Sequence, residues 1–431
     1  MPVLPSKHGA RRVAVIGAGW AGLAAAVEAT RLGDAVTLFE MAPQGGGRAR
    51  EVLWEGQSFD NGQHILIGAY TETLRLMRLV GADIDAHFLR TPLRITYPDG
   101  AGLHLNAGAP AAAFALAVLR YRSWRWSERL ALLLAAAGWR RRQFDCDSAL
   151  TVAALTRSLP RAVRAELIDP LCVAALNTPS HEASAKVFLR VLHDALLSGP
   201  GSADLLMPRV NLGAAFPEPA LRWLARTGAT VRLGHRVDRI EPHGAAWQVD
   251  GDAFDHVVLA ATAPEAARLA GPLAPAWAHM ADALAYEPIV TVYVRCAGTV
   301  LPAPMVALRD GPGAPAQFVF DRGQLGAPAG QMAFVISSAR AWVDAGLDAT
   351  VEATLQQARG ALAAHLRGPL EPIKALTEKR ATFRCTPGLQ RPAMTVCAGL
   401  NAAGDYVDGP YPATLEGAVR SGVAAVARQR A

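Results

Sequence analysis

The stretch VIGAGWAGLAAA, residues 15–26, restricts this chain more than any other. It places Gly17, Gly19 and Gly22 in GxGxxG spacing between the mostly apolar run RVAVI (12–16) and an alanine-rich run that reaches Leu32. The first run predicts a short buried strand. The second predicts a helix over 18–32, with Gly33 as its C-terminal stop. AVTLFE (35–40) predicts a second strand, and strand, helix and strand in so few residues predict a parallel sheet. Each glycine then has its own reason. Gly17 permits the tight turn off the strand, and Gly19, beside Trp20 and Ala21, lets a pyrophosphate approach the backbone. Gly22 lets helix and strand pack closely, and the helix N-terminus faces the phosphate charge. Glu40 ends the second strand 18 residues after Gly22, where a carboxylate accepts ribose hydroxyls and repels a 2′-phosphate. The expectation is a dinucleotide site.

MAPQGGGRAR (41–50) follows at once. A glycine-rich turn carrying arginine directly after the second strand resembles the extended signature of flavoproteins with two dinucleotide-binding domains. The resemblance implies FAD as cofactor, with Arg48 neutralising the pyrophosphate and Gly47 admitting the backbone close to it. It also implies that FDNGQHILIGAY (59–70) passes beside the flavin ring. Glycine at 62 and 68 then suits a backbone against a flat ring, Gln63 reaches the cofactor, and Asp60, Asn61 and His64 are active-site candidates; otherwise the run is a polar turn capping a buried strand. Gly404-Asp405 resembles the flavoprotein GD motif, whose aspartate binds a ribityl or pyrophosphate-side hydroxyl. Ala413-Thr414-Leu415, in PATLEGA, opens a helix whose N–H groups would point at the flavin's pyrimidine edge. RVDRI (236–240) more loosely resembles the segment that meets the adenine, through Val237. No second GxGxxG follows a strand, so electrons for the flavin are expected from an external donor.

The remaining chain divides by pattern. Residues 91–204 are largely Ala/Leu/Arg-rich helices, and strands are predicted at 229–233, 237–240, 246–250, 254–260, 289–295 and 332–337, with Asp250-Gly251 as a hairpin turn. Residues 305–330, rich in glycine and proline, read as loop, and 342–366 as helix. The expected fold is α/β: a Rossmann-like FAD-binding domain (11–90, 205–270 and 385–431) interleaved with an α+β substrate-binding domain (91–204 and 271–384). The helix after the polar break Asn177–Glu182 has a broad apolar face (Val187, Leu189, Val191, Leu192, Leu196, Leu197), suited to a core or to an apolar tunnel. His181 and Glu182 are either a proton source or a solvated helix start.

The 431 residues are 51% hydrophobic and 19% charged, with mean hydropathy +0.17, so the chain can build a large core and an apolar pocket. Net charge is +6 with only four lysines, an arginine-borne surplus that suits anionic lipid or nucleic acid. Five scattered cysteines make no CxxC pair or zinc spacing, and no metal site is expected. The opening MPVLPSKHGARR lacks the apolar stretch of a secretory leader, which together with the cysteines points to a cytoplasmic setting. No run reaches the roughly 18 apolar residues of a spanning helix. Residues 111–142 place RYRSWRWSER between two apolar helical runs: either an interfacial membrane contact or a helical hairpin with a solvated basic tip.

Taken together, VIGAGWAGLAAAVEA, VTLFE with GGGRAR, DNGQHILIGAY, LCVAALNTPSHEASAKVF, DLLMPRVNLGAAFPEPALRWL and GDYVDGPYPATLEGAVRSG resemble the hydroxysqualene dehydroxylases, within the amine oxidase and phytoene desaturase flavoproteins. The resemblance spans nearly the whole chain. DNGQH, AALNTP and PRVNL with FPEPA are its narrower signals. It implies reductive loss of an allylic hydroxyl, yielding squalene in squalene and hopanoid synthesis. Such chemistry needs a general acid for the hydroxyl, a water-excluding apolar tunnel and a hydride donor over which the carbon can lie. His64 is the first candidate for the acid, with Asp60 orienting it, and Tyr411 the second. Expected partners are an apolar C30 isoprenoid, an external electron donor and a membrane surface, the protein lying peripherally on the inner face of the plasma membrane; nucleic acid is not expected. The alternatives are an oxidative polyene desaturase, a flavin amine oxidase, and a prenyl-lipid binder without redox chemistry.

Overall fold

In the computed structural model residues 9–427 are described; most of the opening MPVLPSKHGARR, in which no secretory leader is expected, lies outside the described residues. Strand β1 (Arg12–Ile16), helix α1 (Trp20–Arg31) and strand β2 (Ala35–Glu40) form the predicted unit. β1 and β2 pair in parallel and sit inside a six-stranded sheet. Its order is Thr230–Leu233, β2, β1, His256–Leu259, Leu400–Ala402 and Thr395–Cys397, all parallel except the last. α1 is buried along almost its whole length between this sheet and the final helix, Leu415–Ala427. Gly22 sets that packing: a Cβ there would lie 1.8 Å from the Gly17 carbonyl oxygen and 3.2 Å from the Ala260 side chain.

The second sheet is antiparallel, in the order Met305–Ala307, Phe318–Asp321, Gln331–Ile336, Tyr286–Arg295 and Glu371–Phe383. Its inner strands are apolar on both faces, because both are covered, whereas the edge strand Glu371–Phe383 is charged and only partly buried. Ala333, Val335 and Tyr293 join a core with the helices drawn from 110–197, while Met332, Phe334, Val292 and Val294 face Leu355, Ala358 and Leu362. The two-residue alternation of a strand sends successive side chains to these opposite cores.

Several sequence expectations change here. The run 254–260 breaks at Asp255, whose carboxylate accepts the Arg12 N–H at 2.7 Å, so it contributes to two strands in different sheets. Residues 236–239 are not strand; the Asp250 carboxylate holds the N–H groups of Asp238 and Arg239 in a loop, and pairing starts only at Ile240. Residues 305–330 contain two buried strands, MVA and FVFD, hidden among Gly-Pro turns. The 13-residue strand Glu371–Phe383 was not read at all, since its charged residues mask the alternation.

Candidate active site

A cleft of about 470 Å³ opens where the parallel sheet meets the antiparallel one. Of the cofactor residues expected from sequence, Gly17, Gly19, Trp20, Ala21, Glu40, Gly47, Arg48, Gly62, Gln63, Val237, Gly404, Asp405, Ala413, Thr414 and Leu415 line it. Gly22 lies behind the wall and acts through packing, as its spacing predicts. Gly68 has a different reason from the one expected: it is absent from the cleft, and a Cβ there would strike the Gly201 carbonyl oxygen at 1.8 Å.

Features of the cleft wall could hold a dinucleotide. Gly17 turns the chain with φ +105°, where a Cβ would meet the Ala260 carbonyl oxygen at 2.6 Å. Gly19 caps α1 without any side-chain hydrogen bond, which leaves the first-turn N–H groups facing the cleft for an anion. Thr414 caps the final helix, its hydroxyl accepting the Gly417 N–H at 2.9 Å, and Ala413 just before it takes a left-handed φ of +56°. The Glu40 carboxylate accepts the N–H groups of Ala18 (2.6 Å) and Ala42 (2.8 Å), which fixes it at the cleft edge with lone pairs remaining for hydroxyl donors. Tyr406 is buried in the wall with its phenolic oxygen unpartnered, and burial drives its pKa far up, so it stays an O–H donor for a bound group.

Arg48 is not a lone cation aimed at a phosphate. Its guanidinium donates to Asp405 (2.5 Å) and to the Ala381 carbonyl (2.9 Å), so the GGGR turn, the GD motif and the last strand of the antiparallel sheet are joined at one point. Asn61 makes a second such link, donating to Glu378 at 2.7 Å.

The polar run at 59–64 splits into two jobs. Asn61, Gly62, Gln63 and His64 line the cleft, but Asp60 does not. Asp60 is fully buried; its carboxylate accepts the Leu212 N–H at 2.8 Å and lies 3.9 Å from Arg322. Tyr293 donates to its carbonyl at 3.0 Å. The expectation that Asp60 orients His64 is therefore corrected: the Gly62 carbonyl does so, at 2.9 Å from Nδ1. Burial raises the Asp60 pKa to about 6, against the pull of the Leu212 N–H and of Arg322. Burial also lowers the pKa of His64, against the Gly62 carbonyl. Because a carbonyl only accepts, Nδ1 carries the proton, and at neutral pH Nε2 presents a lone pair. As found, His64 is an acceptor, and its acid form is the minor one.

Tyr411 does not line the cleft. Its hydroxyl accepts from Arg190 at 3.1 Å, and its ring lies between the guanidinium groups of Arg190 and Arg420, at 5.1 and 4.9 Å. His181 is exposed beside Glu182, which pairs with Arg384, and neither His181 nor Glu182 lines the cleft. In the helix Ala185–Leu197, Phe188, Leu189 and Leu192 enter the core, whereas Val187 and Val191 remain half-buried.

Sequence reading missed several contributors. His235 and Arg236 line the cleft beside Val237, and Tyr406 follows Asp405 directly, so adjacency could have found all three. Arg322 carries no local signal. It donates to the Gln63 side-chain oxygen at 2.9 Å from 259 residues away.

A family description covers this arrangement: residues 20–428 match flavin-containing amine oxidoreductases. The chain belongs to that family and is a flavin-dependent oxidoreductase. Its place within the family is with the hydroxysqualene dehydroxylases. It is 30% identical to the hydroxysqualene dehydroxylase of Rhodopseudomonas palustris and 27% identical to that of Sinorhizobium fredii, in each case over 96% of both chains. The fold recurs in an oxidoreductase from Methanosarcina mazei (TM-score 0.74, 16% identity, 97% of this chain and 100% of that one). It recurs also in a putrescine oxidase (TM-score 0.65, 18% identity, 97% and 99%).

Proposed function

We propose that this protein uses FAD to remove the allylic hydroxyl of hydroxysqualene reductively, giving squalene. The observation that carries the reading is similarity along 95–96% of the chain to three hydroxysqualene dehydroxylases. A zeta-carotene desaturase of Synechococcus elongatus, by contrast, matches over 67% of it at 26% identity. When bound, FAD would supply the hydride. The allylic C–O bond breaks, a C–H bond forms at the same carbon, and the hydroxyl leaves as water with one proton; two electrons come from an external donor.

The chain's own groups fit the other requirements. Ile289 lies in the cleft wall and also packs on the large apolar core, against which half-buried Ile65, Ile67, Val187 and Val191 pack as well. Ile289 offers an isoprenoid an apolar side chain in the same cleft that Gly62 and His64 line. His64, held by the Gly62 carbonyl, is placed to handle the proton at Nε2.

The test is to reduce the purified protein anaerobically and add hydroxysqualene. Reoxidation of the flavin together with squalene formation supports the reading. A flavin that ignores hydroxysqualene and, when oxidised, is bleached by phytoene-like polyenes replaces it with a desaturase.

A further inference from the structure

The helix Trp126–Arg141 is apolar on two opposite faces. Leu132 and Trp139 are buried against the protein, while Trp126, Leu130 and Leu134, spaced four apart, point outward and are 69%, 56% and 63% exposed. Apolar side chains on the outer as well as the inner face suit a helix lying between a protein core and a lipid surface, and no described residue covers the outward stripe. The preceding helix, Pro110–Arg120, adds exposed Leu116 and Leu119. Arg129 unites the two stripes. Its guanidinium donates to the Leu119 carbonyl at 2.8 Å and lies 4.7 Å from the centre of the Trp126 ring.

Charge selects the occupant. Exposed Arg120, Arg122 and Arg125 surround one end of the patch and exposed Arg140, Arg141 and Arg142 the other. Residues 110–142 hold seven arginines and one acid, Glu128, a surplus equal to the +6 of the whole chain. Glu128 is committed to its own helix start, accepting the Arg125 N–H at 2.7 Å. A second copy docked face to face would set arginine against arginine, whereas phosphate headgroups neutralise them all. No helix among the described residues is long and apolar enough to cross a membrane, so the contact is with a surface.

We propose that this helical hairpin docks the protein on an anionic lipid bilayer. Trp126, Leu130 and Leu134 enter the boundary between headgroups and acyl chains, and the flanking arginines bind lipid phosphates. This goes beyond the dehydroxylase reading and stands independently of it.

Flotation of the full chain with phosphatidylcholine vesicles, with and without phosphatidylglycerol, tests the idea. The expected result is binding that needs the anionic lipid and weakens with salt. W126S/L130S/L134S should lower partitioning by about 100-fold with an unchanged melting temperature. R122Q/R125Q should lower it by about fivefold per charge removed. Absence of flotation with the phosphatidylglycerol-containing vesicles overturns the proposal, and so does equal flotation with and without that lipid. So does flotation that survives the triple substitution, and so does a dimer in solution that the triple substitution dissociates.

Discussion

The two sheets meet at one cleft but are held by different means. On the parallel-sheet side the backbone decides: Gly17 and Gly22 sit where a Cβ would overlap main-chain atoms, and helix starts at Gly19 and Thr414 face the cavity. On the antiparallel side long-range side-chain contacts decide. Asn177, left-handed at φ +46°, donates to the Glu287 carbonyl (3.1 Å) and the Thr382 hydroxyl (3.0 Å) and accepts the Ser338 N–H (2.7 Å). The parallel-sheet side is therefore intolerant of added atoms at Gly17 and Gly22, and the antiparallel side of lost polar groups.

The strongest way to break this contrast is a pair of glycine substitutions. Gly22→Ala must push α1 off β1 and is expected to cost about 4 kcal/mol or more, with loss of flavin. Gly19→Ala meets only the Gly47 Cα, at 4.0 Å. It should melt like wild type while binding flavin at least about tenfold more weakly, because its methyl group enters the space of the pyrophosphate. Equal melting losses in the two variants would refute the steric account. On the other side, Asn177→Ala removes one buried and two part-buried hydrogen bonds and puts alanine in a left-handed conformation, for about 3 kcal/mol. Urea denaturation measures it, and a loss below 1 kcal/mol would show that the network around Thr382 does not depend on Asn177.

What the sequence made legible follows the same divide. Gly17, Gly19, Gly22 and Glu40 could be read because the strand, turn and helix they serve follow one another directly in the chain, although Ala260 also presses on Gly17 and Gly22; PATLEGA could be read because a helix start has local chemistry. Gln63 could be named, but not the Arg322 that holds it, nor the fact that Asp60 turns away to the Leu212 N–H supplied by the PRVNL stretch. Those partners lie 259 and 152 residues away, and nothing in either segment specifies the other. DNGQH and PRVNL were each recognisable as signals; that they hold one another is a property of the fold.

Asp60 sharpens the comparison through pH. Its pKa rises from 3.8 to about 6 on folding, so the folded state binds its proton more tightly than the unfolded chain does. That contribution is fully present below pH 3.8 and is lost as pH rises through about 6. Its size is up to about 3 kcal/mol at 1.36 kcal/mol per unit. Asp60→Asn should flatten the stability curve across that window; an unchanged slope in pH-dependent urea titrations would assign it to other groups.

A smaller effect concerns His64. If its imidazolium delivers the proton to the leaving hydroxyl, kcat falls as pH rises, with a midpoint below the ordinary histidine range because burial disfavours the charged ring. His64→Gln should abolish that dependence. A wild-type kcat flat across the same range would leave the acid elsewhere in the cleft wall. The smallest effect belongs to Tyr411→Phe. Its hydroxyl meets only Arg190 outside the cleft, so kcat should change by less than about twofold, and stability by about 1 kcal/mol at most. A large kcat loss would return Tyr411 to the chemistry.

The parallel sheet takes its strands from 12–40, 230–259 and 395–402, and its cleft is completed by residues 404–418. On the ribosome, the glycine turn that greets the cofactor therefore emerges long before the helix start that faces it. The nascent chain must carry a half-built pocket, with α1's apolar flank uncovered, through synthesis of the entire antiparallel sheet. The cleft is therefore complete only when the last 30 residues are in place, so flavin capture is a late event.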